Sequence, residues 1–298
     1  MSVPSDGRCL VTGASDPTSV GYACALALLR AGASHVTLMG RDRDRVSDAV
    51  AGILKREERA EGYGVDLSVK RPWGRVSGVV GDLKDPETMP GVVGDAICAM
   101  GGLDVLVVSG GNGGSEYLGL DAADPASYRT MHDVAVLSPL LLAEAAAPEL
   151  AKASSPAGGA IIMVSSVATQ VPWPDTAPYN CAKAAQNCLI ETLAFKFRTG
   201  NVRVNGILPA AIHTGALNRM AAKKGVGVKE YAELRGSAHP MGRCGTPQDV
   251  ANAVVFLASP ASGFITGELL KVDGGLHLSS WFNKPKLLAE FVGGTKAT

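Results

Sequence analysis

Seven short apolar runs recur along this chain, and what lies between them constrains its fold more than any other feature. The runs fall at 9–12, 35–39, 76–80, 105–108, 160–164, 203–208 and 269–272. They are continuous rather than alternating, as strands buried on both faces should be. Between them lie amphipathic or alanine-rich segments of helical length, at 21–31, 44–56, 127–151, 179–199 and 247–258. Strand and helix alternating through the whole length imply an α/β fold, a doubly wound parallel sheet with helices on both faces. No linker, repeat or low-complexity tract divides residues 1–275, which read as one domain followed by a tail at 276–298.

Three segments exceed what such a fold needs. Residues 56–75 are charged and carry Gly62, Gly64, Pro72 and Trp73, which predicts an elaborated loop. Residues 214–244 hold five glycines with Met220 and Met241, the composition of a mobile apolar lid over a substrate. The tail brings Trp281, Phe282 and Phe291, expected to dock on this subunit or a neighbour.

The 28 Lys and Arg balance the 28 Asp and Glu, so nucleic acid and anionic membranes are poor partners. No stretch approaches the ~20 apolar residues of a membrane span, and the N-terminus lacks a signal peptide's apolar region. The expectation is a cytoplasmic protein. Six scattered cysteines show neither Cys-x-x-Cys nor metal-like spacing. They read as reduced thiols packed like small apolar residues, Cys181 included, and no metal site is expected.

After the first run comes Val11-Thr-Gly-Ala-Ser-Asp-Pro-Thr-Ser-Val-Gly21, then a helical pattern. A strand, a small-residue turn and a helix N-terminus make an anion site, because unpaired N–H groups and the helix dipole face a phosphate. Gly13 and Gly21 let the backbone approach closely, and Ser15 and Ser19 offer hydroxyls. The bland alternative is a plain strand-to-helix turn. The second run ends Leu38-Met-Gly-Arg41. An arginine there pairs with the 2′-phosphate of NADP, where an acidic residue would hold the ribose hydroxyl of NAD. Arg41 thus favours NADP(H), while Asp42 beside it keeps NAD(H) as the alternative. Asp82, ending the third run, is placed to accept a bond from the adenine amino group.

The stretch Tyr179-Asn-Cys-Ala-Lys183 carries the chemistry. On a helix these two positions share a face, about 5–6 Å apart. An ammonium there favours phenolate over phenol, so the tyrosine pKa should fall from about 10 toward working pH. Such a phenol is a general acid for making an alcohol from a ketone and a general base for the reverse. Thirteen residues upstream, Ser166 supplies a hydroxyl.

These residues together resemble the short-chain dehydrogenase/reductase family, from about Cys9 to Gly275. Ser166, Tyr179 and Lys183 match its catalytic serine, tyrosine and lysine. The stretch from Asn205 to Thr214 matches its segment around the nicotinamide carboxamide, and Val272-Asp-Gly-Gly275 closes its C-terminal signature. The resemblance implies a seven-stranded Rossmann-type sheet, an NAD(P)(H) cofactor and a homo-oligomer, dimer or tetramer. It further implies cofactor contacts from Val20, Leu83, Gly110, Tyr179, Lys183, Pro209, Ile212 and Thr214. In that scheme Ser166 holds the substrate oxygen, Tyr179 passes the proton, and Lys183 bonds the nicotinamide ribose.

The chain departs from the family in three places. Its glycine loop is two residues longer, with Ser19 in place of a glycine, as in the enoyl-carrier-protein reductases; those, however, place tyrosine seven residues before lysine, where this chain has Thr176. The segment after the fourth strand reads Val108-Ser-Gly-Gly111. Ala135 stands where the family has a helix asparagine that completes a water relay, leaving backbone alone or His132 to support it. On the substrate side Asn112, Trp173 and Met220 are the candidate contacts, and an apolar ketone or secondary alcohol is the expected small-molecule substrate. The alternatives are a 3-oxoacyl-carrier-protein reductase, with Lys223, Lys224 and Lys229 as a docking patch, and a dinucleotide-binding scaffold or sensor with little catalysis.

Overall fold

The computed structural model describes residues 3, 7–59, 74–110, 124–172 and 176–279. Their seven strands are β1 (Arg8–Val11), β2 (His35–Gly40), β3 (Arg75–Val80), β4 (Val105–Val108), β5 (Gly159–Val164), β6 (Val202–Pro209) and β7 (Leu269–Val272). Each lies within one residue of its expected place. They form one parallel sheet in the order β3-β2-β1-β4-β5-β6-β7. The order reverses direction between β1 and β4, and in open α/β sheets a ligand crevice opens at that reversal.

Helices cover both faces. On one side α1 (Val20–Arg30), α2 (Arg43–Arg59) and α9 (Pro247–Ala258) pack over Val11, Val36, Val107, Ile162 and Ile207. On the other, α3 (Met89–Met100), α5 (Ser138–Leu150) and α6 (Ala177–Lys196) cover Leu10, Leu106, Ile161 and Val204. Continuous apolar strands are thus explained, since neighbouring residues of one strand feed different cores. Helix α3 has no counterpart in the sequence reading, because Pro90, Gly91 and Gly94 mask its helical pattern.

The expected single helix over 127–151 is three pieces. Helix α4 (Pro125–His132) runs into a π turn (Asp133–Leu137) and then α5. Pro139 has no N–H to return to Ala135, and the Ser138 N–H reaches back five residues to the Asp133 carbonyl instead. The wide turn therefore falls at Ala135.

Residues 214–244 form α7 (Gly215–Lys223), α8 (Val228–Gly236) and connecting turns. Leu217, Ala221 and Tyr231 pack as their small core. Met241 is exposed rather than part of an apolar lid. The thiols also correct the sequence reading: Cys9 and Cys24 are buried, but Cys98, Cys181 and Cys188 are exposed. Cys181 sits about 200° around α6 from Tyr179, which turns it to solvent. The loop expected at 56–75 is shorter at both ends, since residues 56–59 continue α2 and Arg75 opens β3; residues 60–73 lie outside the described residues, as do Trp281, Phe282 and Phe291 of the tail. No described helix is long and apolar enough to cross a membrane.

Candidate active site

The carboxyl ends of β1 and β4 are joined by one side chain. Thr12 Oγ1 donates to the Ser109 carbonyl at 2.6 Å and accepts from the Ser109 N–H at 3.0 Å. The chain then turns at Gly13, whose φ of +63° suits glycine and whose added Cβ would lie 2.3 Å from the Ser109 oxygen. A Cβ on Gly21 would meet the Thr12 and Gly13 carbonyls at 2.6 Å. On Gly110 it would meet Leu83 Cδ1 at 2.5 Å. Ser19 explains its own departure from glycine: its hydroxyl donates to the Gly13 carbonyl at 3.0 Å and accepts from the Tyr22 N–H at 3.1 Å, capping α1. The two additional loop residues also find partners. Asp16 Oδ1 accepts from Thr18 N and Oγ1, and Thr18 Oγ1 accepts from Gly215 N at 3.1 Å, tying the loop to the start of α7.

A cavity of about 570 Å³ opens along this edge of the sheet. Gly13, Ser15, Ser19, Val20, Arg41, Asp82, Leu83, Gly110, Pro209, Ile212 and Thr214 all line it, together with Ser166, Tyr179, Lys183 and Met220. Gly21 alone of the described expected residues does not, because it is buried where α1 meets the loop. Asn112 and Trp173 lie outside the described residues.

At one end Arg41 is joined by Arg45, which the sequence reading missed. Its place four residues after Arg41, in the first turn of α2, was the available signal. Asp42 does not turn toward a ligand with both oxygens: its Oδ1 accepts from the Arg45 N–H at 2.9 Å and starts α2. Arg45 Nη2 lies 3.6 Å from Asp16 Oδ2. Asp82 Oδ1 accepts from the Lys84 N–H, so its other oxygen remains for the cavity.

At the other end β5 delivers Ser166 in extended backbone, its hydroxyl accepting from the Ala168 N–H at 3.1 Å and hydrogen-bonding the Tyr179 phenol. Helix α6 holds Tyr179 and Lys183 one turn apart, with Nζ 5.9 Å from the ring centroid. Lys183 Nζ donates to the Val164 carbonyl and to Gln186 Oε1, both at 2.8 Å. Burial pushes the Lys183 ammonium down to about 7.

The expected fall of the Tyr179 pKa is reversed: burial pushes the phenol above its ordinary value, while the Ser166 hydrogen bond pulls the other way. Met131, Ala135 and Ala182 pack around it and deny water to a phenolate. A lysine near neutrality offers only part of the positive charge that would oppose them. His132 is exposed and does not line the cavity, which leaves it no part in a relay.

Helices α7 and α8 border the same end. Leu217, Met220, Tyr231 and Arg235 line the cavity, the last two unforeseen because their placement depends on how α8 docks. Tyr231 and Arg235 are buried, with the guanidinium carbon 6.0 Å from the tyrosine ring centroid.

Comparison with known proteins points the same way. A family model described as enoyl-(acyl carrier protein) reductase matches residues 13–277. The 7alpha-hydroxysteroid dehydrogenase of Escherichia coli (strain K12) is 32% identical over 271 residues, covering 91% of this chain and 94% of that protein. Dehydrogenase/reductase SDR family member 4 of Homo sapiens is 33% identical over 271 residues, covering 89% and 86%. L-sorbose reductase from Gluconobacter frateurii, solved with NADPH and L-sorbose, superposes with a TM-score of 0.78 at 28% identity, covering 94% of this chain and all of that one.

Proposed function

Because the chain belongs to the short-chain dehydrogenase/reductase family, and so is an NAD(P)-dependent oxidoreductase of alcohol and carbonyl groups, we propose that it interconverts a ketone and a secondary alcohol with NADP(H). The observation that carries this reading is one cavity lined by Ser166, Tyr179 and Lys183 together with the glycine cradle. The cradle suits a dinucleotide, since Gly13 and Gly110 line the cavity with bare backbone beside the N-terminus of α1, where a pyrophosphate would be held.

Bound there, the nicotinamide dinucleotide supplies or accepts the hydride. The chain's own residues handle the proton. Ser166 donates a hydrogen bond to the carbonyl oxygen and fixes it beside the phenol. Tyr179 gives its proton to that oxygen as the alcohol forms and recovers it in the reverse direction. Lys183 opposes the build-up of negative charge on the phenolate and keeps one donor for the nicotinamide ribose. Leu217 and Met220 favour a mostly apolar substrate.

Two guanidinium groups, Arg41 and Arg45, support NADP(H) over NAD(H), because a 2′-phosphate is the dianion they would pair with. Asp42, which also lines the cavity, spends one carboxylate oxygen on the Arg45 N–H at the start of α2, which weakens it as an acidic competitor. A second reading, a 3-oxoacyl-carrier-protein reductase, draws on the exposed Lys223, Lys224 and Lys229 at the lid, a surface suited to an acidic carrier. Enoyl reduction is disfavoured by Thr176, which places a hydroxyl where those enzymes carry their tyrosine.

Calorimetric titration with NADPH and with NADH tests the cofactor. NADPH should bind more tightly, and Arg41→Ala should weaken it by about tenfold or more, the scale of a lost charged hydrogen bond, while sparing NADH. Equal losses for both cofactors would reject Arg41 as the phosphate contact.

A further inference from the structure

Lys183 is buried, and an ammonium has three protons to place. Val164 takes one through its backbone carbonyl, which any residue at the end of β5 would supply. Gln186 takes another through a side chain. It sits one turn further along α6, 2% exposed, and the mechanism above does not use it. An ammonium only donates, so the carboxamide oxygen is the atom that must face it. Alanine or leucine at 186 would fill the helix equally well and would leave the ammonium with one fixed partner.

We propose that Gln186 is a positioning residue for Lys183, its side-chain carbonyl fixing the ammonium beside Tyr179 and holding it charged during catalysis. This rests on the Tyr179 mechanism proposed above. The case is geometric first: donor and acceptor lie 2.8 Å apart on adjacent turns, and the third Nζ proton is left for the cavity that Lys183 lines.

The surroundings explain why the lysine needs the help. Among the described residues, α6 presents Tyr179 to it and β5 presents the Val164 carbonyl and the Ser166 hydroxyl. Helix α4 and the π turn bring Met131, Ala135 and Val136 against the phenol, none of them polar. The polar side chains of β6 are engaged elsewhere, Arg203 with Leu257 and Ser262 and Asn205 with Ile265. Burial alone depresses Lys183, with no neighbouring charge adding to or opposing it. A second neutral oxygen aimed at Nζ, beside the Val164 carbonyl, then further favours the ammonium over the amine, since hydrogen bonds to charged donors are the stronger ones.

Gln186→Met removes the oxygen and keeps an unbranched side chain of similar volume. Gln186→Glu keeps an acceptor and adds a charge. The ionisation of Lys183 can be read without substrate or cofactor, from the pH dependence of its acylation by acetic anhydride, followed by mass spectrometry of the Lys183 peptide. Gln186→Met should lower the Lys183 midpoint by roughly one pH unit, the scale of one hydrogen bond, and Gln186→Glu should raise it. A tyrosinate absorbance titration, differenced against the Tyr179→Phe counterpart, should show the phenol of Gln186→Met ionising at higher pH.

A Lys183 midpoint that neither variant moves would overturn the proposal. Should Gln186→Met fail to fold, the midpoint in Gln186→Glu decides alone. Turnover of Tyr179→Phe separates the two claims. If that variant works normally, the mechanism is wrong. If it is inactive while Lys183 is indifferent to residue 186, only the role of Gln186 is wrong.

Discussion

At the nucleotide end of the cavity, Gly13, Gly21 and Gly110 put backbone where a side chain would collide. At the proposed catalytic end the cavity is instead shaped by side chains, Ser166 against Tyr179 and Lys183 against Gln186. The first end makes its surface from N–H groups and a helix terminus, which many sequences can provide. It therefore absorbs two extra loop residues and a serine for a glycine, provided the new groups find partners, as Ser19 does in the α1 cap and Thr18 at Gly215. In the proposed mechanism the second end depends on a phenol and an ammonium at one spacing, so substitution there should change the chemistry. Tolerance of sequence change and dependence on residue identity thus divide along the length of one cavity.

Predictions that strain this contrast range from severe to slight. Lys183→Met should cost turnover ~100-fold or more, the usual scale for a disabled acid/base site, as measured by steady-state NADPH oxidation. The same variant tests the burial of the charge. The unfolded chain keeps the lysine proton up to its ordinary value of about 10.4, whereas the folded chain releases it near 7. Unfolded protein therefore binds more protons across that window, so wild-type stability should rise with pH there, and denaturant titrations of Lys183→Met should lose that slope.

Gly13→Val should cost about 1–3 kcal/mol of folding stability from the forced backbone alone, seen as a lower melting temperature, and should abolish dinucleotide binding by calorimetry. Arg45→Ala should reduce NADPH affinity several-fold, less than a full charged hydrogen bond, because Arg45 is half exposed and already faces Asp16. Ser19→Gly should change stability by only a few tenths of a kcal/mol, since glycine is a serviceable N-cap, and NADPH affinity should scarcely move. A large loss in Ser19→Gly would break the contrast by showing that a side chain carries the nucleotide end.

The same division explains what could be read from the sequence. The five inner strands were legible because a strand buried on both faces is apolar throughout and leaves a continuous run; the edge strands β3 and β7 are only partly buried, and were found from their apolar runs all the same. Helix α3 was not, since Pro90, Gly91 and Gly94 obscure its pattern while its packing against the sheet sustains it. Tyr179 and Lys183 were legible by spacing, but the direction of the tyrosine shift was not, because it depends on the apolar wall of Met131, Ala135 and Ala182 that three separate pieces of helix assemble. Tyr231 and Arg235 were invisible for a similar reason: only the docking of α8 turns them into the cavity. Gln186 carried a signal that went unused, a carboxamide three residues after the lysine on the same helical face. Met241 misled because the composition of the lid does not say which methionine faces inward.

The most direct test of the account is Tyr179→Phe, titrated calorimetrically with NADPH and assayed in parallel for turnover on a panel of apolar ketones. The account predicts NADPH affinity within about twofold of wild type, since the change removes one oxygen, and turnover reduced by at least ~100-fold. Turnover near that of wild type, with the cofactor bound as tightly, would contradict it.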